Sequence, residues 1–322
     1  MSQQASLLDL PRIGADDIDG AVSVVGAISA LERALLNGCD PARDPARITV
    51  ATANGHLLLM PSELGDFLGV KIASVLTERS PEGPPRINAC YLLLDSQTLT
   101  PVALLDGNAL TSLRTAAVSA LVAKRLATES AKNLLVFGAG PQARAHLKAM
   151  RFIRPLEQIS AVVRSERAAG SIDEFASGLG LEIQTIDLQE VNQVNQAVAE
   201  SDLIVCATTA TTPLFDGRLV STSACVIAVG AHEPTAREID GELVGRSLVV
   251  VEDRATAIRE SGDIALAIAE GFLEPASLVT IFDLVNQHKV LEVMGRTTLF
   301  KSSGMAWEDL ALAAEVYRRC IT

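Results

Sequence analysis

Residues 132–164, KNLLVFGAGPQARAHLKAMRFIRPLEQISAVVR, constrain the fold more than any other stretch. Strand, glycine turn, helix and second strand follow one another within about thirty residues, the layout of a parallel βαβ unit. Asn133 to Phe137 is an apolar run without polar alternation, as in a strand covered on both faces. Gly138-Ala139-Gly140-Pro141-Gln142-Ala143 comes next. Gly138 suits the positive φ of a tight turn, Gly140 lets a pyrophosphate approach the backbone, and Ala143 keeps the helix close to the sheet. Pro141 fits the first helical turn, where its missing N–H costs nothing, and the free amides with the helix dipole attract an anionic phosphate. A bare glycine pattern also occurs in ordinary strand-to-helix turns. Here it sits in the context a dinucleotide site requires, so Gly138, Gly140 and Pro141 are cofactor-binding candidates.

The end of the second strand speaks to which dinucleotide. A site for NAD places an acid about twenty residues beyond the glycines, on the ribose 2′-hydroxyl, whereas a 2′-phosphate calls for basic residues. The strand Gln158 to Val163 runs into Arg164-Ser165-Glu166-Arg167. Arg164 and Arg167 suit a phosphate and Ser165 can donate a hydrogen bond to it. NADP(H) is therefore the preferred cofactor, with NAD(H) kept open by Glu166.

The chain has 322 residues, long for one domain and comfortable for two. Its 27 basic and 39 acidic residues give a net charge of −12, which disfavours a nucleic-acid partner. No apolar run approaches the about 20 residues of a membrane span, and MSQQASLLDLPR lacks the basic-then-apolar layout of a signal peptide. A cytoplasmic protein without a membrane role is expected. Five scattered cysteines and four scattered histidines show neither a disulfide framework nor metal-ligand spacing.

The N-terminal third differs in pattern. Ile18 to Leu36 has helical spacing and ends at Asn37-Gly38. Short β-like runs follow at Ile48 to Ala53, His56 to Met60 and Val70 to Leu76, with Asn54-Gly55 as a hairpin signal. Cys90 to Asp95 and Val102 to Leu105 form a further pair. A hairpin-rich segment before βα alternation implies two domains. Three basic residues here are site candidates. Arg47 opens a strand, and Lys71 sits between Val70 and Ile72, where an alternating strand is equally able to turn it to water. Arg114 lies in a helix of small and apolar residues on every face, so its guanidinium needs an anionic partner, a substrate or cofactor among the possibilities.

GNALTSLRTAAVSALVAKRLA, LLVFGAGPQARAHLKAM, AVGAHEPTAREID, ESGDI and TLFKSSGMAWEDLALAAEVY fall in that order. With these blocks the chain resembles the ornithine cyclodeaminase and mu-crystallin family, from about Arg47 to Tyr317. The resemblance implies an α/β fold: a Rossmann-type doubly wound parallel sheet plus an α+β substrate-binding and dimerisation domain. That domain would be 1–112 completed by 304–322, with 113–303 as the NAD(P)-binding domain. It also implies a homodimer, a small amino-acid-like substrate whose carboxylate is held by Arg47, Lys71 and Arg114, and Lys71 as an acid toward the substrate nitrogen. Cofactor contacts would come from the glycine turn with Gln142, from Arg164, Thr208, Thr209, Val229 and Gly230, and from the loop Phe300 to Ser303 with Ser302.

Two positions depart from the family's cyclodeaminases. His232 stands where those resemble GGDxPGKTEL, with an aspartate after the glycines. Histidine shuttles protons near neutral pH but supplies no permanent negative charge beside an iminium, so His232 is a catalytic candidate or a loop residue touching cofactor. Arg86 stands where threonine is usual. The expected activity is reduction of a cyclic ketimine acid by NAD(P)H. Cyclodeamination of ornithine, alanine dehydrogenation and a non-catalytic binding role are the alternatives. His56, His146 and His288 lack spaced partners and read as surface or satisfied residues, and Glu252, Asp253, Glu260 and Asp263 read as helix caps or first-turn acids.

Overall fold

A computed structural model describes residues 9–77, 83, 85–287 and 295–321; His288 lies outside them. The chain divides into two compact units, one running to Arg114 and resumed at Gly304, the other spanning Thr115–Ser303. The division falls inside a helix.

The first unit opens with β1 (Arg12–Ile13), α1 (Ala15–Ala21) and α2 (Val24–Leu36), then β2 (Ile48–Thr52), β3 (Gly55–Leu64), β4 (Phe67–Leu76), β5 (Ile87–Asp95) and β6 (Pro101–Asp106), and α3 (Gly107–Leu126) leaves it. The sheet order is β1-β6-β5-β4-β3-β2, and every pairing is antiparallel except that of β1 with β6. The single helix expected over Ile18 to Leu36 is broken. Ser23 is extended and its hydroxyl accepts from Gly26 N, so it caps a new helix after α1 has ended at Ala21. The hairpin tip also lies one residue earlier than Asn54-Gly55, because Thr52 pairs with Gly55 in the ladder. A Cβ on Gly55 would lie 2.0 Å from the Val75 carbonyl oxygen of β4, so glycine there admits the neighbouring strand.

The second unit continues with β7 (Asn133–Phe137), α4 (Pro141–Met150), β8 (Gln158–Val163), α5 (Glu166–Gly178), β9 (Gln184–Asp187), α6 (Val191–Glu200), β10 (Leu203–Cys206) and β11 (Cys225–Ala228). Then follow α7 (Gly241–Arg246), β12 (Leu248–Val251), α8 (Arg254–Glu260), α9 (Gly262–Ala269), β13 (Val279–Thr280), α10 (Ile281–Val285) and β14 (Thr298–Lys301). All eight strands are parallel, in the order β13-β12-β14-β11-β10-β7-β8-β9. From β7 the chain steps outward through β8 and β9, then returns to β10 on the other side. That reversal is the switch point at which open α/β sheets hold ligands. β13 is only Val279–Thr280, because the Thr280 hydroxyl accepts from Asp283 N and starts α10.

From Gly304 the chain returns to the first unit and forms α11 (Ala306–Ile321), which packs on β3, β4, β5 and α2. Trp307, Leu310, Leu312 and Val316 are fully buried there, each such side chain contributing about 1.5–3 kcal/mol. Tyr91 on β5 is likewise buried, with its ring against β4: a Cβ on Gly69 would lie 2.3 Å from the Tyr91 hydroxyl. Gly69→Ala is therefore expected to lower unfolding stability by about 1–3 kcal/mol, the usual effect of overpacking. Urea unfolding checks this, and an unchanged midpoint would show that the Tyr91 ring yields freely.

Candidate active site

The pleat of β4 puts Phe67, Gly69, Lys71, Ala73 and Val75 on the buried side. Lys71 therefore faces inward, opposite Met60 and Tyr91, and not to water. It is 3% exposed. Its Nζ donates to Asp309 Oδ2 at 2.7 Å and to Thr111 Oγ1 at 3.3 Å. The Thr111 hydroxyl gives its own hydrogen to the Gly107 carbonyl at 2.7 Å, so it can only accept from Lys71. An ammonium has three N–H bonds, and among the described residues two are engaged in this way.

Arg114 is the second buried cation. Its Nη1 donates to Glu308 Oε2 at 2.6 Å, and its Nε lies 3.5 Å from Asp309 Oδ1. The anionic partner its surroundings demand is thus an acid of the chain itself. Gly304, at φ +74°, takes the guanidinium over its α-carbon, where a Cβ would stand 2.6 Å from Nη1. Arg47 Nη2 donates to the carbonyl of the same Gly304 at 2.8 Å. The three basic candidates are therefore brought together, two around Gly304 and two around Asp309.

Reasoning from sequence missed Glu308 and Asp309. Both are fully buried in the first turn of α11, where acids ordinarily complement the helix dipole at the surface. The signal available was their place in the apolar stripe, flanked by Trp307 and Leu310. Asp44 completes the group, accepting from the Ser62 hydroxyl and from Trp307 N, both at 2.7 Å. Burial pushes its carboxyl up to about 6, against those hydrogen bonds. Burial and then the Arg114 charge bring Lys71 down to about 8, with Asp309 opposing. The lysine is thus mostly charged at neutral pH, yet a far better acid than a lysine in water.

In the second unit Gly138 has φ +108°, and a Cβ on it would lie 2.7 Å from the Ala207 carbonyl oxygen. Gly140 caps α4 with Pro141 at its first position, and the space a Cβ on Gly140 would fill is open. Behind them, His146 is buried, with Nδ1 on the Gln142 carbonyl at 2.8 Å and Nε2 on the Ser119 hydroxyl at 2.9 Å. Because the carbonyl can only accept, Nδ1 carries the hydrogen, and burial lowers the imidazole to about 4. It is a satisfied core histidine. Gln142 Oε1 is a buried acceptor with no hydrogen-bond partner among the described residues. An open glycine cradle at a helix N-terminus fits a dinucleotide's phosphates. Arg164, Ser165 and Arg167 are exposed at the end of β8, where Ser165 caps α5 through Ala168 N.

Thr208 and Thr209 follow β10, and Val229, Gly230 and His232 follow β11; His232 Nδ1 lies 3.2 Å from the Gly230 carbonyl. These loops are tied by a residue the sequence did not single out. Glu238 accepts from Thr208 N at 2.8 Å, Thr208 Oγ1 at 2.7 Å and Gly230 N at 2.6 Å. Burial raises its pKa, while Lys301 and the Thr208 bonds oppose that. The Ser302 hydroxyl donates to buried Glu252 at 2.7 Å, which ties the loop after β14 to the end of β12. Glu252 is accordingly no cap, whereas Asp253 caps α8 through Thr256 N. Asp263 is in a first turn but fully buried, accepting from the amides of Glu238 and Ile239 and pairing with Lys301 at 2.9 Å. Arg86 Nε donates to the Leu76 carbonyl at 3.3 Å.

The sequence model of the ornithine cyclodeaminase/mu-crystallin family matches residues 14–322. The chain belongs to that family. It is 32% identical to a Delta(1)-pyrroline-2-carboxylate reductase of Bacillus thuringiensis, over 86% of each chain. It is 35% identical to the ketimine reductase mu-crystallin of Mus musculus, over 84% of this chain and 82% of that one. Among solved structures, Delta(1)-pyrroline-2-carboxylate reductase of Thermococcus litoralis in complex with NADH and L-proline matches with a TM-score of 0.90 at 32% identity, covering 97% of this chain and 98% of that one. The family membership and α/β fold implied by the sequence blocks are thereby established.

Truncating one partner of a buried pair strands the other charge, at about 3–5 kcal/mol. Glu308→Ala is expected to destabilise the protein by that amount in urea unfolding. A shift below about 1 kcal/mol, the scale of a surface pair, would show that Arg114 finds another partner.

Proposed function

We propose that the protein is an NAD(P)H-dependent reductase of small cyclic ketimine acids, converting pyrroline-2-carboxylate or piperideine-2-carboxylate to the L-amino acid. The observation that carries this reading is the meeting of Arg47, Lys71 and Arg114 at Gly304 and Asp309, on a chain that also has an open nucleotide-binding turn. The named relatives, ketimine and pyrroline-carboxylate reductases similar over most of the chain, support it.

A reduced nicotinamide, when bound, supplies the hydride that an imine carbon accepts. The protein's own share is to hold the acid and move a proton. Arg47 and Arg114 offer guanidinium N–H groups suited to a carboxylate. Lys71 gives the proton of its third N–H to the ring nitrogen, making the carbon a better acceptor, and the neutral amine that remains keeps its bonds to Asp309 and Thr111. Gly138, Gly140, Pro141 and Gln142 hold the pyrophosphate. Arg164 and Arg167, with Ser165, favour the 2′-phosphate of NADP(H) over NAD(H). Thr208, Thr209, Val229 and Gly230 line the nicotinamide side with His232. We also propose a cytoplasmic homodimer. Five free cysteines suit a reducing compartment, and Ile48 and Val50, 53% and 45% exposed on edge strand β2, suit a covered face.

Protein mixed with NADPH and pyrroline-2-carboxylate is expected to consume the reduced-nicotinamide absorbance. Failure with every cyclic ketimine, together with ammonia release from ornithine and NAD, would replace this reading by cyclodeamination. Lys71 is charged below its pKa of about 8 and loses its proton above it, so kcat/KM is expected to fall as pH rises through about 8. Lys71→Met should lower turnover by about 10²–10⁴-fold, the range of general-acid loss, and remove that limb. A pH limb that survives the substitution assigns the proton to another group. Arg164→Asp is expected to shift preference toward NADH, measured as the ratio of kcat/KM for the two cofactors, and an unmoved ratio places the 2′-phosphate elsewhere.

A further inference from the structure

The sequence blocks EPTARE, ESGDI and TLFKSSG each contribute one ionised group to a single buried cluster in the second unit. Glu238, Asp263 and Lys301 are 0%, 1% and 0% exposed. Lys301 Nζ lies 2.9 Å from Asp263 Oδ2 and donates to the Ala231 carbonyl at 2.5 Å, while Asp263 Oδ1 accepts from the backbone amide of Glu238. Lys301 is thus in contact with Asp263, and its charge also acts on Glu238. Glu238 is held otherwise, by two amides and a hydroxyl whose hydrogens converge on its two oxygens, an arrangement that selects the carboxylate. Two acids and one base leave the cluster one negative charge.

That charge sits at a defined place. Gly230 has no room for a Cβ, which would lie 2.1 Å from the Thr208 carbonyl and 2.5 Å from Glu238 Oε1, so the ends of β10 and β11 close directly on the carboxylate. In a doubly wound sheet the adenosine ribose lies at the end of the strand after the glycine turn, here β8. The nicotinamide half therefore extends the other way from β7, toward β10 and β11. The oxidised ring is cationic and the reduced ring neutral, so a fixed negative charge on that side distinguishes them, all the more in a low-dielectric interior.

We propose that Glu238 is a positioning residue that sets the redox balance of the bound cofactor: through Thr208 and Gly230 it shapes the nicotinamide side, and the net negative charge it gives the buried cluster favours the oxidised form. The inference rests on the nicotinamide-dependent activity proposed above, but not on the substrate or on the choice between NADP and NAD.

The test is calorimetric titration of the full-length protein with NADP⁺, NADPH, NAD⁺ and NADH, for the wild type, Glu238→Gln and Glu238→Asp. Glutamine keeps the length and loses the charge, together with one accepted hydrogen bond because its NH2 cannot accept, whereas aspartate keeps the charge and loses reach. Glu238→Gln is expected to weaken the oxidised form relative to the reduced about tenfold, equivalent to about 30 mV in the bound couple. The ratio should move equally for the phosphorylated and unphosphorylated cofactors. Glu238→Asp should weaken both forms together and leave the ratio alone. Should Glu238→Gln fail to fold, Asp263→Asn, which also removes one negative charge from the cluster, is read for the same shift. A ratio unchanged in the amide variant, or moved as far by aspartate as by glutamine, overturns the proposal and leaves Glu238 a structural residue. If the wild type binds none of the four cofactors, the proposed activity fails first and takes this inference with it.

Discussion

A charge taken out of water must be met by another charge or by a full set of hydrogen bonds, and much of this chain's arrangement follows from that requirement. The effective penalty for an unpaired buried ion is several kcal/mol, more than one buried apolar side chain returns. Arg114 on α3 and Lys71 on β4 are both buried, so the first unit is incomplete without an acid to meet each of them. Those acids are adjacent residues, Glu308 and Asp309, supplied by a helix 194 residues beyond Arg114 and 238 beyond Lys71. The apolar face of α11 explains why that helix packs. The two carboxylates explain why it packs in one register only, since a shift by one residue would put Trp307 or Leu310 where a carboxylate is needed.

The same pairing governs the site's chemistry. Asp309 is shared: one oxygen lies on Lys71 Nζ and the other near Arg114 Nε. It favours the charged lysine while burial and Arg114 disfavour it, and the balance leaves Lys71 near 8. An acid of that strength holds its proton at neutral pH and still parts with it to a basic nitrogen. Geometry adds direction, because Thr111 and Asp309 fix two of the ammonium's three N–H bonds and so restrict where the third can point.

How much of this was legible depended on sequence distance. The βαβ unit was readable because strand, turn and helix are set by neighbouring residues, and Gly138 adopts the positive φ its place demands. Arg114's need for an anion was readable from its surroundings. Its partner was not, for no periodicity links position 114 to position 308. Local rules also misled. First-turn acids are usually solvated caps, which is why Asp263, Glu308 and Asp309 looked ordinary although each is buried against a cation. The break at Ser23 was hidden because its residues keep the apolar spacing of one helix, and only the capping hydroxyl ends it. Lys71 could be placed on a strand, but its face depends on the pleat of β4, which the sheet fixes.

Glu308 and Asp309 in the first unit and Glu238 in the second are met by different means, although Asp263 in the second unit also pairs with a cation and Asp44 in the first is held by a hydroxyl and an amide. In the first, Glu308 and Asp309 each contact a cation at salt-bridge distance, so their fields largely cancel within a few ångströms. What the site then presents is short-range and directional: N–H groups of fixed geometry, suited to a carboxylate. In the second, Glu238 is stabilised by amide and hydroxyl dipoles. Dipoles lower the energy of a carboxylate without cancelling its charge, and a charge's field falls off more slowly with distance than a dipole's. Exchanging an arginine for backbone amides as the partner of a buried acid therefore changes little in local hydrogen bonding and much in the potential beyond it. On that ground Glu238 projects a field onto its surroundings, whereas Glu308 chiefly anchors a neighbour.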